Sequence, residues 1–238
     1  MKHEYNELPY SWKFVQTNSY IKIYKTLQTT QELGQIRAII GASGYGKSSA
    51  LKIFEKRNSK TTLYMELDKT YRAKDIYVEI LRFLDEGQYG YNIPTRFLAQ
   101  KVSYLLEKRK DKLLIIFDDA GRFTPSMMEY FQAIYDRNEG RVGIVLSGTS
   151  KFKNDFEGWV KSEKLGIPEL STRISTWVNI EPPSLNEKIN ILKENGIELT
   201  DLATSIAKEC DNLRTLSQKC KEYLHSAKMN EVLEKTHA

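Results

Sequence analysis

The chain has 238 residues and carries 36 Lys+Arg against 31 Asp+Glu, a formal net charge of +5. With 40% hydrophobic and 11% aromatic residues it holds too much apolar material for a disordered chain, and its length suits one α/β domain with a small appendage. The longest strictly aliphatic and aromatic run, Leu113 to Phe117, falls far short of the roughly 20 residues of a membrane helix, so no membrane partner is expected. The first residues hold no apolar signal stretch, and a cytoplasmic location is expected. In chain order, the apolar runs predict strands at Gln35 to Ile40, Thr62 to Leu67, Leu113 to Asp118, Val142 to Ser147 and Ile174 to Ile180. Helical periods lie between them at Tyr20 to Glu32, Lys47 to Arg57, Ala73 to Asp85, Pro94 to Lys108, Pro125 to Arg137 and after Ser150. This alternation is the pattern of a parallel sheet covered by helices, with two helices where the second crossover needs one. Past Ile180 the pattern changes. Glu181-Pro182-Pro183 reads as a joint, Ser184-Leu185-Asn186-Glu187 has capping-box spacing, and Asn195-Gly196 is a left-handed stop. Helical stretches follow at about Asp201 to Cys210 and Leu213 to Lys228, with no strand signal. Cys210, Cys220 and the three histidines, His3, His225 and His237, show no metal-ligand or redox spacing and are assigned no site.

The strongest local signal is Gly41-Ala42-Ser43-Gly44-Tyr45-Gly46-Lys47-Ser48, which fits GxxxxGK[ST] and follows the apolar strand. Glycines let successive amides turn inward onto phosphates, and the loop opens into a helix N-terminus that favours an anion. Lys47 then neutralises β- and γ-phosphate charge, Ser48 offers a hydroxyl to Mg²⁺, and Ser49 lies beside them at the helix start. A tight structural turn is the alternative. Farther on, the apolar strand ends in Asp118-Asp119, two carboxylates at the edge where open parallel sheets bind ligands. By itself such a pair is commonly a turn. Beside a phosphate loop, Asp118 is expected to hold Mg²⁺ through water and Asp119 to orient or deprotonate the attacking water.

With these motifs and the helical tail, the chain resembles the AAA+ ATPases, and among them the transposition regulators MuB, TnsC, TniB and IstB, near the initiator clade. The resemblance covers roughly Phe14 to Tyr223 and rests on IIGASGYGKSSAL, IIFDDAGRF, YDRNEGRVGIVLSGTSKF and PELSTRI before a Pro-rich joint. It implies a P-loop fold of five parallel strands, divided into an N-terminal arm (1–18), a nucleotide-binding core (19–181) and a small helical lid (182–238). It also implies a sensor at the end of the fourth strand, either Ser147 or Thr149, with a strand-end turn as the competing account. An arginine acting from a neighbouring subunit is expected, and Arg173 holds that position. Arg214, at the sensor-two start of a lid helix in Asp211-Asn212-Leu213-Arg214, is expected to reach the phosphates of its own chain. Ordinary surface pairing and salt-bridging within the lid are the alternatives for the two arginines.

The resemblance further implies that the extra helix before the third strand tracks a DNA backbone. Lys69, Arg72, Lys74, Arg96 and Lys101 are the cations there, set among Tyr71, Tyr77, Tyr89 and Tyr91; a solvated helix face is the alternative. The function so implied is an ATP- and Mg²⁺-dependent ATPase that assembles as a ring or helical filament on double-stranded DNA and presents the target to a transposase. An ATPase acting on protein partners, in remodelling, secretion or defence signalling, is the other reading, and a non-hydrolysing DNA scaffold a third. One departure bears on rate. The family pattern has Asp-Glu where this chain has Asp118-Asp119, and a carboxylate displaced by about 1 Å costs on the order of a hundredfold. Slow or partner-triggered hydrolysis is therefore expected. No separate N-terminal helix-turn-helix module is expected before Gly41.

Overall fold

The computed structural model describes residues 12–85, 87, 89, 90 and 92–236; Tyr91, His3, His237 and the first eleven residues of the expected arm lie outside them. Two compact units divide the described chain. One takes the residues up to Ile21, Ser43–Gly46 and those from Glu181 on, and the other takes Lys22–Ala42 and Lys47–Ile180.

The larger unit holds a five-stranded parallel sheet. Its strands are β1 (Ile36–Ile40), β2 (Thr62–Glu66), β3 (Leu113–Asp118), β4 (Val142–Gly148) and β5 (Ile174–Asn179), in the order β2-β3-β4-β1-β5. Every residue of β3 and β4 is buried. That is why they read as unbroken apolar runs and not as alternating ones, since a parallel sheet is covered on both faces. Edge strand β5 is instead exposed or half-buried along most of its length, with only Ile174 buried. Helix α1 (Asn18–Leu33) precedes β1, α2 (Lys47–Arg57) joins β1 to β2, and α3 (Ala73–Asp85) with α4 (Thr95–Lys108) joins β2 to β3. The chain thus leaves β1 for the far edge of the sheet and comes back past it to β5. The crevice at the carboxyl ends beside β1 is where such sheets take ligands.

Helix packing completes this core. On α3, Ile76, Tyr77, Val78, Ile80 and Leu81 are buried. The Lys74 ammonium donates to the Ile93 carbonyl, which ties the starts of α3 and α4 together at one end of the pair. Under β3, Phe117 meets Phe123 and Phe131 at ring-centroid distances of 5.1 and 5.4 Å. Gly143 lets α1 lie against β4, because an added Cβ would fall 2.5 Å from the Thr30 carbonyl oxygen. Between β3 and β5 come α5 (Pro125–Arg137), α6 (Ser150–Lys161) and α7 (Ile167–Arg173), with a single 3-10 turn at Ala120–Arg122. The five strands and the parallel order agree with the sequence reading. Helix α7 was not anticipated: it has seven residues, too few for a helical period to register, and it starts on a left-handed Gly166 followed by Pro168.

In the smaller unit, α8 (Leu185–Glu194), α9 (Thr200–Lys208) and α10 (Leu213–Thr236) enclose a core of Ile191, Leu192, Ile197, Ala203, Ala207, Cys210, Leu216 and Cys220, against which Trp12 and Val15 pack. The capping box forms as read, with Glu187 N–H on Ser184 Oγ and Ser184 N–H on Glu187 Oε2 at 2.7 Å. Gly196, at φ 102°, ends the turn after α8. The second oxygen of Glu187 serves another helix. Oε1 accepts the Asn18 N–H at 2.6 Å, so one carboxylate caps both α8 and α1. Burial alone would raise this carboxyl, but the amides of Asn18 and Ser184 outweigh it and hold it below its ordinary value.

A carboxyl lowered on folding stabilises the protein above its unfolded value, about 4.3, and loses that contribution as pH falls through the folded value. Glu187→Gln offers one acceptor where two amides need one. It is expected to cost about 0.5–1 kcal/mol at pH 7, the lower range for a cap because solvent screens the group. The difference from wild type in urea midpoint should close as pH drops below about 4.

Candidate nucleotide-binding site

The phosphate loop starts where β1 stops. Gly41 N–H donates to the Gly148 carbonyl at the end of β4, 3.1 Å away, and a Cβ at Gly41 would meet Ile180 Cβ at 2.9 Å. Backbone therefore runs where a side chain could not fit. Lys47 opens α2 and is 8% exposed. Its ammonium donates to the carbonyls of Gly41 at 2.7 Å and Ala42 at 3.0 Å. Ser48 and Ser49 follow, exposed on the first turn, where orphan amides and the helix dipole favour an anion.

Strand ends supply the acidic and hydroxyl groups. Glu66 pairs with Asp118, Phe117 with Leu146, and Ile39 with Ser147, so Asp118 and Ser147 stand side by side on adjacent strands, about 5 Å apart. Asp118 is 2% exposed. Its Oδ1 accepts the Asp119 N–H at 3.1 Å and its Oδ2 accepts the Tyr64 hydroxyl at 2.9 Å. Asp119 is exposed and left-handed, with φ 55° and ψ 43°, a strained backbone state that Asp tolerates better than most residues. Ser147 is fully buried and its Oγ has no hydrogen-bond partner. Leaving such a group unpaired costs about 1–3 kcal/mol, which a ligand oxygen or a bound water would relieve. Thr149 is exposed at the N-cap of α6 and makes no side-chain cap bond.

Tyr64 was not foreseen. In Thr62-Leu63-Tyr64-Met65-Glu66 it looks like any strand aromatic, and only the register with β3 brings it to Asp118. Burial, followed by the charge of Asp118, pushes its phenol far above the ordinary value, so it stays a donor.

The middle of the loop belongs to the smaller unit. Gly44 and Gly46 have φ of 82° and 84°, a conformation open to glycine at little cost. The Leu213 N–H donates to the Gly44 carbonyl at 2.9 Å, and a Cβ on Gly44 would lie 2.5 Å from Asn212 Oδ1. That same oxygen caps α10, accepting the amides of Arg214 and Thr215. The Arg214 guanidinium donates to Ser43 Oγ at 3.1 Å. Tyr45, between the two glycines, is half-buried.

Other expected residues lie apart. Arg173 ends α7 and pairs with the Asp136 carboxylate at 2.5 Å and the Glu169 carbonyl at 2.8 Å. It precedes β5, whose Ile174 is level with Ile36, the start of β1, so roughly 16 Å of backbone separates it from Gly41. Lys69 and Arg72 are exposed between β2 and α3, and Arg96 is exposed at the start of α4, stacked on Phe97 at 4.8 Å. Lys74 is bonded to Ile93, and Lys101 pairs with Asp85 at 3.4 Å, so these two hold the α3–α4 connection.

The donor set suits a magnesium nucleotide. Lys47 and the α2 amides would meet phosphate, and Ser48 with a buried carboxylate would suit a cation that keeps most of its waters. Among the described residues there is no cluster of three or more His, Cys, Asp or Glu that would point to another metal, and no helix is long and apolar enough to cross a membrane. A glycine loop running into a helix at the head of this sheet defines a P-loop nucleotide-binding protein.

The chain belongs to the AAA domain family, whose model matches residues 31–154, just over half of its length. The resemblance to transposition regulators is met by a match to the Mu-like prophage FluMu DNA transposition protein B of Haemophilus influenzae, 24% identical over 211 residues, or 86% of this chain and 70% of that protein. Among solved structures, the Aeropyrum pernix ORC1 protein in complex with DNA superposes with a TM-score of 0.62 at 14% identity, covering 88% of this chain and 60% of that one. The ADP form of the Aeropyrum pernix ORC2 protein gives a TM-score of 0.67, also at 14% identity, over 97% of this chain and 67% of that one. At this identity the likeness is of fold, and the chain spans about three fifths of the ORC1 chain.

Removing an unpaired buried hydroxyl relieves a penalty. Ser147→Ala is therefore expected to leave the thermal midpoint unchanged or raised, while turnover of ATP falls about tenfold or more, the loss typical of a polar group used in the transition state. Differential scanning fluorimetry and a phosphate-release assay on one preparation separate the two effects.

Proposed function

We propose that the protein is an ATP-dependent DNA-binding ATPase that assembles on double-stranded DNA and presents target DNA to a transposase. The observation that carries this reading is the match to a protein named for DNA transposition, which extends over 86% of the chain and so takes in both units. Lys47 and the loop amides hold the β- and γ-phosphates of ATP, Ser48 and Asp118 hold Mg²⁺, and Arg214 supports the phosphates from the start of α10. When bound, Mg²⁺ neutralises charge on the phosphates. Asp119 orients the attacking water and takes its proton as the water oxygen bonds to the γ-phosphorus and the bond to the bridging oxygen breaks. Ser147, with Thr149 next to it on the chain, contacts the water or the γ-phosphate. Arg173, too far from the loop of its own chain, serves the loop of a neighbouring copy. A site completed in trans makes nucleotide occupancy and assembly mutually stabilising.

Two parallel helix N-termini, of α3 and α4, and the exposed Lys69, Arg72 and Arg96 lie at one end of the helix pair. Cations and orphan amides of this kind grip phosphates without reading bases. One observation favours a protein partner instead: Phe97 and Tyr104 are 48% and 49% exposed on α4, and exposed aromatics beside cations suit protein contacts.

Calorimetry with Mg²⁺ is expected to register ATP binding to the wild-type chain and none to Lys47→Ala; equal behaviour of the two would overturn the nucleotide site. Electron microscopy with duplex DNA and a non-hydrolysable ATP analogue is expected to show filaments or rings, and discrete particles indifferent to both ligands would exclude assembly on DNA. Arg72→Glu with Arg96→Glu should weaken DNA binding by about tenfold or more on all sequences alike and flatten its salt dependence by about one unit of slope per lost contact.

A further inference from the structure

We infer that Tyr64 is a positioning residue for the metal-side carboxylate, fixing the orientation of Asp118 at the place where it would hold hydrated Mg²⁺. This rests on the nucleotide-site reading above and adds to it a residue on a neighbouring strand. Asp118 ends β3 and is buried, so the orientation of its carboxylate is set by protein groups and not by bulk water. Tyr64 lies two residues before Glu66, the register partner of Asp118, and shares its face of the sheet. From there its ring reaches along the strands and its hydroxyl donates to Oδ2. Oδ1 is the other oxygen, and it accepts the backbone amide of Asp119. The carboxylate is thus held at both ends, one by main chain and one by Tyr64.

The ring is itself braced. The Lys52 ammonium lies 5.4 Å from its centroid and pairs with Glu66 at 2.8 Å. Lys52 is one turn beyond Ser48 on α2, so it shares the face of the helix that carries the other expected Mg²⁺ ligand. A run of contacts therefore joins the helix of Ser48 to the carboxylate of Asp118 through Tyr64. Hydrogen-bonded supports of ligating carboxylates set metal affinity; their loss typically costs tenfold or more.

The test is calorimetry of a non-hydrolysable ATP analogue, with Mg²⁺ and with EDTA, on wild type, Tyr64→Phe, Asp118→Asn and the double variant. The expected result is that Tyr64→Phe binds as wild type does in EDTA and loses about tenfold of the gain conferred by Mg²⁺, with no further loss on adding Tyr64→Phe to Asp118→Asn. An equal loss in EDTA and Mg²⁺, an unchanged Mg²⁺ gain, or a full additional loss in the Asp118→Asn background would each overturn the role. Wild type that binds well in EDTA and gains from Mg²⁺ sustains the nucleotide site even then, whereas wild type that binds under neither condition removes both. Incorporation of 3-fluorotyrosine at position 64 retains ring and hydroxyl, and so reads the same contact should Tyr64→Phe not fold. Its fluorine resonance is expected to shift when Mg²⁺ is added to the nucleotide-bound protein; a resonance that ignores the metal counts against the proposal.

Discussion

A buried ammonium sets the terms for the rest of the molecule. Lys47 is 8% exposed and leans on the carbonyls of Gly41 and Ala42. Taking a cation out of water costs several kcal/mol, and carbonyl dipoles return less of that than a full negative charge does. Placing it there requires the loop to turn back under the head of α2, which in turn requires glycine at left-handed positions and a strand that stops at Ile40. The sheet order then brings the ends of β3 and β4 next to that loop, with Asp118 and Ser147 adjacent. A buried cation, a buried carboxylate and a polar strand end are brought together by one placement.

Much of this was legible in the chain itself. The phosphate loop declares itself because its chemistry depends on residue types at fixed spacing, and β3 and β4 because a parallel strand buried on both faces must be apolar throughout. Asp118 followed from being the first carboxylate after such a strand. What could not be read were relations between strands. Tyr64 meets Asp118 through register, and Ser147 differs from Thr149 in burial, 0% against exposed, although the two are separated by a single residue. Lys74 and Lys101 looked like Lys69 and Arg72, yet each is occupied in tying α3 to α4. A side chain's employment by its neighbours leaves no trace in composition.

The smaller unit is organised by a similar economy. Asn212 caps α10 with the same oxygen that lies over Gly44, and the first amide of that helix, Leu213, is bonded to the loop carbonyl. Glu187 fixes the starts of α1 and α8 together. Short helices of nine or ten residues are marginal on their own. Here a small core that takes in Trp12 and Val15 holds them in place, and α8 has the shared cap of Glu187 besides.

Arg173 stands at the opposite end of the sheet from the loop of its own chain, farther than an arginine side chain extends. Under the proposed reading, what it does to a triphosphate it does to one carried by another copy. Such chemistry would be bimolecular in protein, and its velocity per chain would vanish on dilution. On that reading a lone copy would turn over slowly, and the last copy in any open row, facing no donor, would keep its nucleotide longest.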